Sequence, residues 1–156
     1  MTLQFAVGGA VMPFVSMLLR DRGLEYSRIS QVFFASSCTL LVFPFLWGML
    51  ADRVIPMNRL FTFLNLAGLF ALGVFSLQQS FLGLLLSFTV FYACFHPTMT
   101  LMNALSFHHL DHPETQFANV RAWGSLGWII PSVPIYFWLF QAPSTRLDFV
   151  LYLGMG

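Results

Sequence analysis

Charged residues cut the chain into uncharged apolar runs of similar length. Leu3 to Leu19 carries no charge and ends at a loop holding Arg20, Asp21, Arg22, Glu25 and Arg28. Ile29 to Ala51 is the second run, closed by the polar turn Asp52 to Arg59. Leu60 to Leu77 and Phe81 to Phe107 follow, separated by Gln78-Gln79-Ser80. Past the polar connection His108 to Arg121 comes a fifth run, Ala122 to Ala142, and a sixth opens at Phe149. About 20 residues, at ~1.5 Å each, cross a hydrocarbon core about 30 Å thick. The spacing therefore predicts membrane helices over 3–19, 29–51, 60–77, 81–107 and 118–142, with the start of a sixth at 149. Strand alternation is absent, and the runs are about twice the length a barrel strand needs. Irregular backbone facing lipid would leave its polar groups unpaired, so helices remain. Pro13, Pro44, Pro97, Pro131 and Pro134 fall inside runs and are expected to kink them.

Composition agrees with this pattern. Of 156 residues, 58% are hydrophobic and 8% charged, and mean hydropathy is +0.76. Soluble domains carry about a quarter charged residues. Seven arginines, no lysine and six acidic residues cannot cover a water-exposed surface. The composition excludes a soluble enzyme, a disordered chain and a nucleic-acid binder, which would need a basic patch. The fold class expected is an all-α polytopic membrane protein, one helical bundle over 1–156. Cys38 and Cys94 both lie in apolar runs and read as small buried hydrophobes rather than a disulfide. The first run begins almost at Met1 without a basic leader, so no removable signal peptide is expected. If chain ends alternate, Arg20, Arg22, Arg28 and Arg146 share one side, and Arg53, Arg59 and Arg121 the other, too even a division to orient the chain. The run from Phe149 is too short to cross, and we expect the chain to be the front part of a longer one, or a truncated product.

The turn after the second helix reads Gly48-Met49-Leu50-Ala51-Asp52-Arg53 and continues to Arg59. It resembles the signature loop between helices two and three of the major facilitator superfamily, Gly-x-Leu-Ala-Asp-Arg followed by basic residues. The second glycine of that signature falls at about Ile55 here, and its basic run is reduced to Arg59. Gly48 would let a neighbouring backbone approach closely. Asp52 can pair with Arg53 or Arg59, or sit at the positive end of a facing helix. A second block runs Pro97-Thr98, Leu101-Met102-Asn103, then Arg121-Ala122-Trp123-Gly124-Ser125-Leu126-Gly127-Trp128. This is similar to the nucleoside:proton symporter family within that superfamily, as, more loosely, is the opening Leu3-Gln4-Phe5-Ala6 with Gly8-Gly9. The resemblance implies the N-terminal six-helix half of a major facilitator fold, its sixth helix truncated. It implies a cytoplasmic N-terminus and Asp52 loop, with the fifth helix starting near Phe117. Implied partners are a small polar solute, protons, the lipid bilayer and a missing C-terminal half. The expected location is a bacterial-type inner membrane.

Candidate site residues follow from polar stripes. Arg121, Ser125 and Trp128 stand at i, i+4 and i+7 and share a helix face. An arginine just inside a membrane helix is costly unless it faces water or a partner. The resemblance implies substrate contact there: Arg121 donating to hydroxyl or base oxygens, Ser125 exchanging a hydrogen bond, Trp128 stacking on a flat ring. The other reading is an interfacial arginine with tryptophans packed in lipid. Gly124 and Gly127 read as close-packing positions.

Tyr92, His96, Thr100 and Asn103 form a stripe on the fourth helix. His96 has two readings: a proton carrier or substrate contact, or a neutral histidine bonded to a carbonyl freed by Pro97. The family usually has an apolar residue just before Pro-Thr, so His96 departs from it. Asn103 matches the motif, as a helix–helix hydrogen bond or a ligand, and Gln4 and Asn65 either line the cavity or bridge helices. No carboxylate lies deep in any run, so the coupling carboxylate is expected in the second half. Gly48, Asp52, Arg53 and Arg59 are assigned to gating. The cluster His108-His109-Leu110-Asp111-His112 is set aside as a metal site, and no cofactor fingerprint occurs. Expected function is solute transport by alternating access, the solute a nucleoside with protons. The alternatives are a sugar or aromatic acid as solute, or a membrane fragment that transports nothing.

Overall fold

A computed structural model describes residues 1–53, 55–110, 113–141 and 154–155. The helix expected at 149 and the Asp52 side chain lie outside the described residues. Six helices account for nearly all the rest: α1 Thr2–Val11, α2 Val15–Asp21, α3 Tyr26–Arg53, α4 Met57–Leu77, α5 Phe81–His109 and α6 Pro113–Gln141. Helix covers each of the five expected runs, the first in two pieces, and most of these helices extend past the ends that hydropathy marks. Arg28, Arg53 and Arg59 stand inside helices, because hydropathy reports where lipid begins and not where a backbone ladder stops.

Two expectations are corrected. The first helix is interrupted at Met12–Phe14, where Pro13 offers no N–H and its ring crowds the carbonyl four residues earlier. Pro44, Pro97, Pro131 and Pro134 instead lie within continuous helices. The polar connection expected from His108 to Arg121 is mostly helical. α5 runs to His109, and α6 begins at Pro113, a residue whose fixed φ suits the first helical position.

The turns carry their own chemistry. After α2, the Gly23 N–H bonds the Arg20 carbonyl and the Leu24 N–H bonds the Leu19 carbonyl. That pair is the Schellman closure, and it places Gly23 at φ 80°, where a side chain would be strained. Before α5, Ser80 Oγ accepts from the Gly83 N–H at 3.2 Å, capping the helix start.

The chain forms two compact units. Glu25–His109 holds α3, α4 and α5, with α5 packed against both others. Its core includes Leu60, Leu64, Cys94 and Leu101, flanked by Trp47 and Leu50. Phe88 is fully buried, with its ring 5.6–5.8 Å from those of Phe33, Phe75 and Tyr92. The other unit, Met1–Leu24 with the described residues from Leu110 onward, is built on α1 packed against α6. Both units leave large apolar side chains exposed, among them Phe34, Leu41, Phe45, Phe70, Ile130 and Phe137. Apolar surface on this scale belongs against lipid or partner helices. Thr2–Asp21, Tyr26–Ala51, Met57–Leu77 and Phe81–Phe107 are each long and apolar enough to cross a membrane. α6 has 29 residues and carries Arg121, serines, glycines and two prolines along it.

Candidate functional site

The α1–α6 seam rests on missing side chains. A Cβ on Gly127 would strike the Thr2 backbone, and one on Gly9 would strike the Trp128 backbone. A Cβ on Gly124 would come within 3.3 Å of the Phe5 ring. Glycine is required at Gly9 and Gly127 because backbone itself occupies the space, the usual basis of close membrane-helix packing. The packing expected of Gly124 and Gly127 is thus present. The contact advances from Thr2 with Gly127 to Gly9 with Ser132, so α1 and α6 run in the same sense. Helices one and five of a chain that crosses a membrane at each step must do so.

Turning Gly124 and Gly127 toward α1 leaves the polar stripe of α6 beside the seam. Arg121 and Ser125 are exposed and Trp128 is half-buried. Ser125 Oγ donates to the Arg121 carbonyl at 3.4 Å, a weak bond that leaves its lone pairs open. Gln4 is buried within the same unit, 8% exposed, and is already engaged with a neighbour. Arg121, Ser125, Trp128 and Gln4 therefore belong to one unit, while His96 and Asn103 belong to the other.

On α5 the stripe is real. Tyr92, His96 and Asn103 are half-buried and Thr100 is exposed, while Phe91, Phe95, Thr98 and Leu101 are buried. The Tyr92 and His96 ring centroids are 4.2 Å apart. The His96 reading that relied on the Pro97-freed carbonyl is corrected. Pro97 leaves the Ala93 carbonyl, four residues back, without its helical donor, and the Trp47 indole N–H of α3 donates to it at 3.3 Å. The Asn103 side chain makes no hydrogen bond among the described residues, so the expected helix bridge is not formed there. Asn65 is half-buried, and its Nδ2 donates to the Phe61 carbonyl of its own helix at 2.8 Å.

At the other end of α3, Arg53 and Arg59 are exposed. Among the described residues the close approach expected at Gly48 is not made: a Cβ there would meet nothing within 4 Å. An apolar groove of about 330 Å³ lies nearby, lined by Phe43, Leu46, Trp47, Met49, Leu50 and Arg53. Its walls offer almost no polar group to orient a hydrophilic solute. The described residues hold no cluster of three metal-type ligands. The side chains of His108 and His109, with Asp111 and His112, lie outside the described residues.

Sequence reading missed two donors, Ser132 and Trp47. Ser132 Oγ lies 2.7 Å from both the Gly9 and Trp128 carbonyls and shares its one proton between them. Gly9 stands four residues before Pro13, so its carbonyl has also lost its helical donor. The prolines signal which carbonyls need partners, those of Gly9 and Ala93 among them, but not which side chains supply them.

The sequence profile of the MFS_1 like family matches residues 2–155. The chain belongs to the MFS_1 like family. That family is one of transporters and not of enzymes, and with the helices above it makes this an integral membrane protein. A relative of this MFS_1 like chain is the Escherichia coli (strain K12) protein named "Putative nucleoside transporter YegT", 25% identical over 132 residues. The match covers 83% of this chain and 30% of the relative, so the chain spans less than a third of that protein. No solved structure matches.

Proposed function

We propose that the chain is the N-terminal half of a carrier that moves a nucleoside together with protons by alternating access, rocking against a second half around a midplane site. The observation that carries this is the α6 stripe: Arg121 and Ser125 exposed and Trp128 half-buried, on a helix whose glycines are spent on packing against α1. An exposed guanidinium at this position needs water or a polar ligand. It offers several fixed donors to base or ribose oxygens, and the indole offers a flat apolar face. The nucleoside assignment is also supported by the name of the Escherichia coli relative. Gly48, Asp52, Arg53 and Arg59 act in gating at the cytoplasmic face. Asn103 and Gln4 are lesser contacts. The setting is a bacterial-type inner membrane.

Radiolabelled nucleoside uptake by the full-length protein in membrane vesicles tests this. Uptake that unlabelled nucleosides suppress, and that Arg121→Ala abolishes or weakens at least about tenfold in apparent KM, is the expected result. Competition by a sugar or aromatic acid but not by nucleosides would replace the substrate. Unchanged uptake in Arg121→Ala would refute the site.

A further inference from the structure

His96 sits beside a proline deep in a membrane helix, where a histidine usually has a structural task. That task is mending the break in the backbone ladder. Here the mending is done from elsewhere. The Ala93 carbonyl, orphaned by Pro97, takes its hydrogen bond from Trp47 on α3. Thr98, the other polar side chain at the break, is buried and turns back to the Phe95 carbonyl at 2.6 Å. His96 is left with a ring contact only, against Tyr92 at 4.2 Å and edge-on to Phe95 at 6.2 Å. Neither ring nitrogen has a hydrogen-bond partner among the described residues, and no buried polar side-chain atom among them is unsatisfied. The imidazole is half-buried, so its nitrogens are reachable while its carbon face is held. At the helical rise it lies about 20 Å from either end of α5, near mid-depth.

We propose that His96 is a proton-binding group of the carrier and that Tyr92 is its positioning residue. The proton-coupling part rests on the transport reading above. The groups that could bias it are few. α5 itself adds Tyr92 and Cys94, with His108 and His109 at its end. α3 adds Cys38 between its spans' ends, and Arg28, Asp52 and Arg53 near those ends. α4 adds Arg59 in its first turn. None is a charged group at the depth of His96. A charged imidazole there is tolerated only when water or a ligand reaches it. Proton occupancy is therefore linked to whichever state of the carrier hydrates that face, and by reciprocity protonation favours that state. Trp47 is what makes this available, since it frees His96 from holding α5 together.

The test uses full-length protein in lipid nanodiscs with ¹⁵N-labelled histidine, the His96 imidazole signals being assigned by their loss in His96→Gln. Titration of those signals between the neutral and doubly protonated patterns, over about pH 5–8, is expected. A fixed neutral tautomer with a slowly exchanging N–H throughout that range would overturn the proposal. Nucleoside uptake at a series of external pH values is the second readout. Wild-type uptake should fall as pH rises through the histidine range, and His96→Gln should flatten that fall to within about twofold. A wild-type pH profile in His96→Gln would overturn the proposal. Tyr92→Phe, which keeps the ring, should retain the profile, whereas Tyr92→Ala should broaden it; an unchanged profile in Tyr92→Ala would remove Tyr92 from its positioning role. If the wild type takes up no nucleoside, the transport reading fails, and the imidazole titration still decides the state of His96.

Discussion

Pro13 and Pro97 each delete one backbone N–H, and the carbonyls left behind, on Gly9 and Ala93, are met by Ser132 and Trp47. In lipid there is no water to take that role, so each donor holds its helix as well as its neighbour. Ser132→Ala should lower stability by about 1 kcal/mol, within the range of membrane interhelical hydrogen bonds. Trp47→Phe keeps the ring and removes the indole N–H, and about the same loss is expected. Thermal unfolding in detergent, compared with wild type, reads both. These donors were not legible beforehand. Ser132 bonds a residue 123 positions away, and Trp47 one 46 away, and neither separation leaves a mark on local pattern. Arg121, Ser125 and Trp128 were legible, because i, i+4 and i+7 on a continuous helix share a face whatever the tertiary fold.

Between helices, α1 and α6 meet where glycine lets backbone touch backbone. Gly127→Leu should separate them, because the new side chain meets Thr2 backbone that cannot step aside. A cost of about 2–3 kcal/mol is expected from overpacking. Gly124→Ala meets only the Phe5 ring, which can shift by a few tenths of an ångström, so a change below about 1 kcal/mol is expected. Equal effects of the two substitutions on unfolding temperature would contradict this description of the seam. The helices themselves were readable from charge spacing, since one rise per residue and one membrane thickness fix their length. Their ends were not. α6 begins at Pro113, ahead of the apolar run, because a helix stops where capping and backbone chemistry stop it. Nor did the prolines announce their effects: one interrupts a helix and four do not.

For the whole molecule, the MFS_1 like family implies a transporter, and the proposed function places solute contacts on the polar stripe of α6. Asp52→Asn should shift the balance between inward- and outward-open states and leave substrate affinity intact, as expected of a gating residue. Equilibrium nucleoside binding and exchange rates on the full-length protein measure the two separately. Normal values of both would remove Asp52 from gating. The most direct measurement is proton-driven nucleoside uptake into vesicles that contain the full-length protein, for wild type and Arg121→Ala side by side. The proposed function requires that an inward proton gradient raise wild-type uptake and that Arg121→Ala abolish it or weaken it at least about tenfold in apparent KM. Uptake that ignores the gradient, or that is the same in both proteins, would contradict it.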